Sequence, residues 1–179
     1  DFYPETASSI SLQAHLRSQL YTTRASERDM SLVDVLIEDL DENGYLSSSL
    51  DDIQAMFDPE DEVSPDELMF ALRLLQSFDP AGIGARSLSE CLLLQLRHEK
   101  PLAGNESVLQ CARTICTNGL DALAAADINR LQKLTGVDVP LIRQAHALIQ
   151  CLDPRPGKAW STPAADYAIP DVLVKKNGK

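Results

Sequence analysis

LLQSFDPAGIGARSLSECLLLQL, residues 74–96, joins two apolar runs through a short stretch rich in glycine and proline. The first run ends at Phe78. Asp79–Pro80 stops it, because proline removes a backbone donor and biases the preceding residue away from helical geometry. Gly82 and Gly84 let the backbone turn tightly. Ser87, with Glu90 three residues on, restarts a helix as cap and first-turn partner. Arg86 lies beside the turn, where it can bond the open carbonyls of the preceding helix or pair with Asp79 or Glu90. Helix, corner and helix follow one another without an alternating segment, which points to an all-helical fold.

The same signals organise the chain outward from this corner. Leu12, Leu16 and Leu20 recur every four residues within 9–23 and make one helical stripe. Ser26 opens a second helix through SERD, with Met30, Val33, Ile37 and Leu40 expected on its apolar face. Ser49 caps a short helix carrying Leu50, Ile53, Met56 and Phe57. VSPDE is a strong start: Ser64 caps, Pro65 fits the first turn and Glu67 reaches back. Beyond EKPLAGNE (99–106), helices are predicted near 107–117, 121–125, 127–134 and 140–152, and LDPRPG, with Pro156 and Gly157, ends them. In the tail, Ile169, Val172 and Val174 read as a strand and Asn177–Gly178 as the turn of an unfinished hairpin.

The expected fold is therefore all-α, with two packed helical subdomains. A helical bundle occupies 9–98, and a smaller, helix-turn-helix-like three-helix unit occupies 107–157. Residues 1–8 read as a linker and 99–106 as a connector. Residues 158–179 read as a linker and the truncated, extended or β start of a further, DNA-binding region.

Composition narrows the function classes. The net charge is −11, but residues 1–79 hold 18 Asp/Glu against 4 Lys/Arg, and residues 80–179 hold 9 against 12. An acidic half repels naked nucleic acid and favours a partner with basic surfaces. No apolar run is long enough to span a bilayer and no signal-peptide pattern appears, so a cytoplasmic protein without a membrane partner is expected. Cys91, Cys111, Cys116 and Cys151 form no CxxC pair and read as free thiols in a reducing compartment. GIGAR contains only GxG and lacks a preceding strand, so no cofactor is expected. His15, His98 and His146 fall on separate helices with no nucleophile at a diagnostic spacing. No catalytic residue is assigned, and the chain reads as a binding protein rather than an enzyme.

Two other stretches carry site-like patterns. DLDENGYLSSSL (39–50) places Asp39, Asp41 and Asn43 at positions 1, 3 and 5 of a calcium loop, with Gly44 at its turn. Position 12 is Leu50, which offers no carboxylate, and Asp51 is one residue late, about 100° around a helix. The stretch reads instead as a turn between helices, with no metal. TGVDVPLIRQA (135–145) has the outline of a helix-turn-helix, with Arg143, Gln144 and His146 as candidate weak DNA contacts. A helix-turn-helix DNA-binding regulator is the alternative function.

Three blocks also carry a resemblance: LIEDLDENGYL (36–46), LQSFDPAGIGARSLSECLLLQL (75–96), and LIQCLDPRPG (148–157) with YAIPDVLVKK (167–176). In identity, order and spacing they resemble the bacterial sigma-54 factors, the enhancer-dependent sigma subunits of RNA polymerase. The middle block is the most specific. The resemblance implies the core-binding region, which docks sigma onto core RNA polymerase at the β flap region and neighbouring surfaces. It implies that activator ATPases act on the whole factor and that promoter DNA is read largely by regions outside this sequence. Candidate polymerase contacts are Asp39, Asp41, Glu42 and Tyr45 of the first block and Asp79, Arg86 and Glu90 of the second. Gly44, Pro80, Gly82, Gly84, Pro156 and Gly157 are expected to shape turns. The acidic half then complements the basic surfaces that a nucleic-acid-holding polymerase exposes.

Overall fold

A computed structural model describes residues 10–100 and 103–160. The tail strand and hairpin turn expected beyond residue 160 lie outside the described residues. Those residues fold into helices: α1 (Leu12–Leu20), α2 (Glu27–Asp39), α3 (Leu50–Ala55), α4 (Pro65–Gln76), α5 (Leu88–Leu96), α6 (Glu106–Asn118), α7 (Leu120–Ala124), α8 (Ile128–Thr135) and α9 (Val139–Gln150). Short 3₁₀ turns span Pro59–Asp61 and Lys158–Trp160.

The starts follow the capping chemistry. Ser26, Ser49, Ser64 and Ser87 each accept a hydrogen bond from the backbone N–H three residues on. At Ser64 the box closes, since Glu67 accepts from the Ser64 N–H in return. At Ser87 it does not. Glu90 turns back to Arg86 instead, accepting from the Arg86 N–H at 2.7 Å and from its guanidinium at 3.0 and 2.7 Å.

Two main cores result. The first gathers the leucine stripe of α1, Leu32, Val33, Leu36 and Ile37 of α2, Ile53 of α3, and Leu68, Leu72 and Leu75 of α4. α2 lies along α4, and α1 covers α2. The buried face of α2 is wider than expected: Val33, Ile37 and Leu40 are buried as predicted, Leu32 and Leu36 fill the core beside them, and Met30 only borders it. The register is set by two flanking helices, so a wider stripe is covered than a single contact line requires. Met56, the C-cap of the six-residue α3, is 66% exposed, while Ile53 alone of its apolar residues is fully buried.

The second core is built on α6, packed by α9, α5, α8 and α7. α5, expected within the first subdomain, contributes Leu92 and Leu96 to this second core. Its opposite side places Cys91 and Leu94 against Ala85 and Tyr45. Gly136 ends α8 with φ +73°, where a side chain would be strained, and Asp138 caps α9 with Pro140 in its first turn.

Ion pairs tie the acidic half internally. Arg17 of α1 bridges Asp34 (2.6 Å) and Glu38 of α2. Arg28 of α2 holds Glu67 of α4 at 2.5 Å and donates to the carbonyls of Asp61 and Glu62. The Arg28 guanidinium and the Ser64 N–H lower the Glu67 carboxyl from 4.5 to about 2. A carboxyl depressed in the folded state contributes stability above its unfolded value that is lost as pH falls through the folded one. Carboxyl-resolved NMR titration is therefore expected to find Glu67 near 2 and to find it raised in Arg28→Ala. The acid limb of stability, between about pH 4.5 and 2, should flatten in that variant. An unmoved Glu67 midpoint would contradict the pair.

Candidate functional site

The first two motif blocks and residues 148–157 of the third, far apart in sequence, converge on one junction. The first supplies a tight hairpin after α2. Asp41 donates its N–H to the Tyr45 carbonyl at 2.8 Å, and Gly44 donates to the Asp41 carbonyl at 3.0 Å. The Asp41 carboxylate accepts from the N–H groups of Asn43 (2.8 Å) and Tyr45 (3.0 Å). Asp39 accepts from the Ser48 N–H and hydroxyl at 2.9 and 2.8 Å. The carboxylates of the calcium-like motif thus bind the loop's own backbone and a serine. They are hairpin pins, and Gly44 takes φ +92° to close the turn.

The second block lies alongside. The Gly84 N–H donates to the Gly44 carbonyl at 2.8 Å, and the Leu46 N–H to the Ala85 carbonyl at 3.0 Å. Gly82 and Gly84 adopt φ +95° and +81°, and residues 82–85 are all buried. A Cβ on Gly82 would fall 2.8–2.9 Å from the Gln95 amide and the Cys91 sulfur. Of the pairings the sequence offered Arg86, the one with Glu90 is formed, and the Gln76 side chain donates to the Gly84 carbonyl at 3.1 Å.

The third block returns from α9 as a strap over residues 153–160. Gln95 clasps the Asp153 backbone at both ends, donating to its carbonyl at 2.5 Å and accepting its N–H at 2.7 Å. The Tyr45 hydroxyl donates to the Pro154 carbonyl at 2.8 Å, and the Gly157 N–H to the Asn43 carbonyl at 2.9 Å. Burial, together with its neighbour Cys91, pushes the Tyr45 phenol well above its ordinary value, so it stays a donor. Pro156 is buried, and Gly157 sits so close to the hairpin that its Cβ would lie 2.6 Å from the Gly44 nitrogen. Trp160 stacks on His15 of α1, ring centroids 4.3 Å apart.

The candidate contacts therefore separate into two groups. Asp39, Asp41, Tyr45 and Glu90 are half-buried and engaged within the hairpin, the strap and the α5 start. Glu42, Asp79 and Arg86 are exposed. Burial raises the Glu90 carboxyl, but the bonds from the Arg86 guanidinium and N–H outweigh it and hold the group below its ordinary value. Asp79 is fastened through its backbone, which exchanges hydrogen bonds with the Gln19 amide at 2.7 and 2.9 Å. Arg143 and Gln144 are exposed on α9, and His146 is half-buried. None of these three enters the junction.

Sequence reasoning missed Gln19, Gln76, Gln95 and the His15–Trp160 stack. Gln95 did leave a signal, as the polar break in LLLQL, at a position where the flanking leucines are buried. A buried glutamine amide must be paired to offset its desolvation, and here the pair is the strap backbone.

The described residues form an all-helical unit whose glutamine-clasped junction leaves Glu42, Asp79 and Arg86 exposed. The chain belongs to the sigma-54 factor family: the model of the sigma-54 factor core binding domain matches residues 1–179. It is 39% identical to an RNA polymerase sigma-54 factor of Pseudomonas aeruginosa over 179 residues, 100% of this chain and 35% of that protein. It is 41% identical over 170 residues to that of Shewanella violacea, covering 94% and 34%. With the Escherichia coli factor it shares 37% over 166 residues, covering 93% and 34%. The chain thus spans about a third of the length of the curated relatives it matches.

Proposed function

We propose that this chain docks a sigma-54 type factor onto core RNA polymerase as a binding module without catalysis of its own. The observation that carries this reading is the match of the core-binding family model along all 179 residues. Charge supports it, since the acidic first half suits a basic protein surface better than a phosphate backbone. Among the described residues no helix is long and apolar enough to cross a membrane. In this reading the two helical cores are the docking blocks, and Glu42, Asp79 and Arg86 are the contacts offered at the junction. Promoter reading and response to an activator ATPase belong to the longer factor.

The test is equilibrium binding of the chain, labelled at the exposed Cys151, to purified core polymerase and separately to promoter duplex. Specific binding to core that weakens from low to high salt is expected, with no comparable binding to duplex. Binding to duplex but not to core would reverse the reading.

A further inference from the structure

A groove of about 580 Å³ opens beside the junction, between the loop that follows the hairpin and the facing sides of α3 and α4. Its floor holds the buried Leu46 and Leu68, and its walls the half-buried Leu50 and Met69. Asp51 stands on the rim, and Arg86 is the cation that reaches it. Arg86 is neutralised by its two-pronged pair with Glu90. The surrounding chain is acid without relief: from residue 29 to residue 72 there is no Lys or Arg, against 14 Asp or Glu. Of those 14, the ones held in ion pairs among the described residues are Asp34, Glu38 and Glu67. Asp51, Asp52 and Asp66, on or next to the groove, are exposed.

We infer that this groove receives a short cationic amphipathic segment of the partner protein, one or two long apolar side chains entering between Leu50 and Met69 while lysine or arginine meets the acidic rim. The inference rests on the docking function proposed above and assigns it a place. Two helix faces framing an apolar trough fit helix-in-groove recognition, in which apolar anchors supply affinity. Methionine, unbranched and polarizable, adapts its shape to such an anchor. The uncompensated carboxylates select a basic flank and reject nucleic acid. The charge is what separates this occupant from a second copy of the acidic half, which the same field repels.

The experiment measures affinity of the full chain for purified core polymerase with Asp51→Lys and Met69→Arg, each placed at the groove, and Arg143→Glu as a distant control. Helical circular dichroism reports that each variant folds. Both groove variants are expected to weaken binding by about tenfold or more, and the control by less than about twofold. Asp51 is exposed, so its variant keeps the test sharp if Met69→Arg perturbs folding. Groove variants that bind like the unsubstituted chain overturn the groove while leaving the docking function standing. An unsubstituted chain that fails to bind core overturns both. Self-association by sedimentation that Met69→Arg abolishes would reassign the groove to a second copy and overturn the cationic partner.

Discussion

Replacing Gly157 by alanine is expected to cost about 3 kcal/mol and to loosen residues 153–160 from the first core. The added methyl would sit 2.6 Å from the Gly44 nitrogen and 2.8 Å from the Asn43 carbonyl carbon. Both are backbone atoms, held by the hairpin bonds of Asp41, so neither can swing away as a side-chain tip would. The cheapest relief is to lift the strap, which gives up the Gly157 bond to Asn43 and the stack of Trp160 on His15. Trp160 is the sole tryptophan, so its fluorescence in a urea melt reports the strap directly. Gly136→Ala is the control. That glycine has φ +73° but open space around its Cβ, so only the left-handed strain of about 1 kcal/mol applies. A Gly157→Ala protein as stable as Gly136→Ala, with native Trp160 emission, would refute the close approach.

The second large effect is expected for Leu72→Ala, at about 3–4 kcal/mol. Leu72 is fully buried on α4, amid the side chains of the first core. Truncation removes transfer free energy and leaves a cavity that rigid helices fill poorly. Its consequence for the second core is the more informative part. α5 gives Leu92 and Leu96 to the second core and Gln95 to the strap that crosses to the first. The two cores are therefore expected to unfold together, and Leu72→Ala should speed labelling of Cys116, which lies in the second core. Burial pushes that thiol up to about 11, so in the native fold at neutral pH it is neutral and shielded, and it reacts on opening. Cys116 labelling unchanged by Leu72→Ala would show two independent folding units.

Much of the helical layout was legible because its signals are local. Ser26, Ser49, Ser64 and Ser87 cap the helices predicted from them, and Pro65 and Pro140 sit in first turns. Capping and proline preferences act over three or four residues, a range the sequence displays directly. The stripe on α2 held at Val33, Ile37 and Leu40 but was drawn too narrow, since Leu32 and Leu36 are also buried in the core shared with α1 and α4. The strap was not legible at all.

By itself the sequence determined an all-helical chain, the turns at Gly44, Gly82 and Gly84, the split of charge between its halves, and three motif blocks of one family. Only the tertiary structure decided that the first two of those blocks meet residues 148–157 of the third. The bond from Tyr45 to Pro154 joins residues 109 apart in the chain, and Gln95 grips Asp153 across 58. No periodicity encodes such a pairing, because each partner satisfies its local rules equally well without the other. The same holds for Asp39 and Asp41. In the sequence they are candidate polymerase contacts, while in the fold they accept from the hairpin's own N–H groups and from Ser48. Glu90 was offered by the sequence both as a cap partner of Ser87 and as a pair for Arg86, and in the fold it accepts from the Arg86 N–H and guanidinium through charge-assisted bonds. Local preferences draw the helices; buried polar groups that must find partners decide where the loops go.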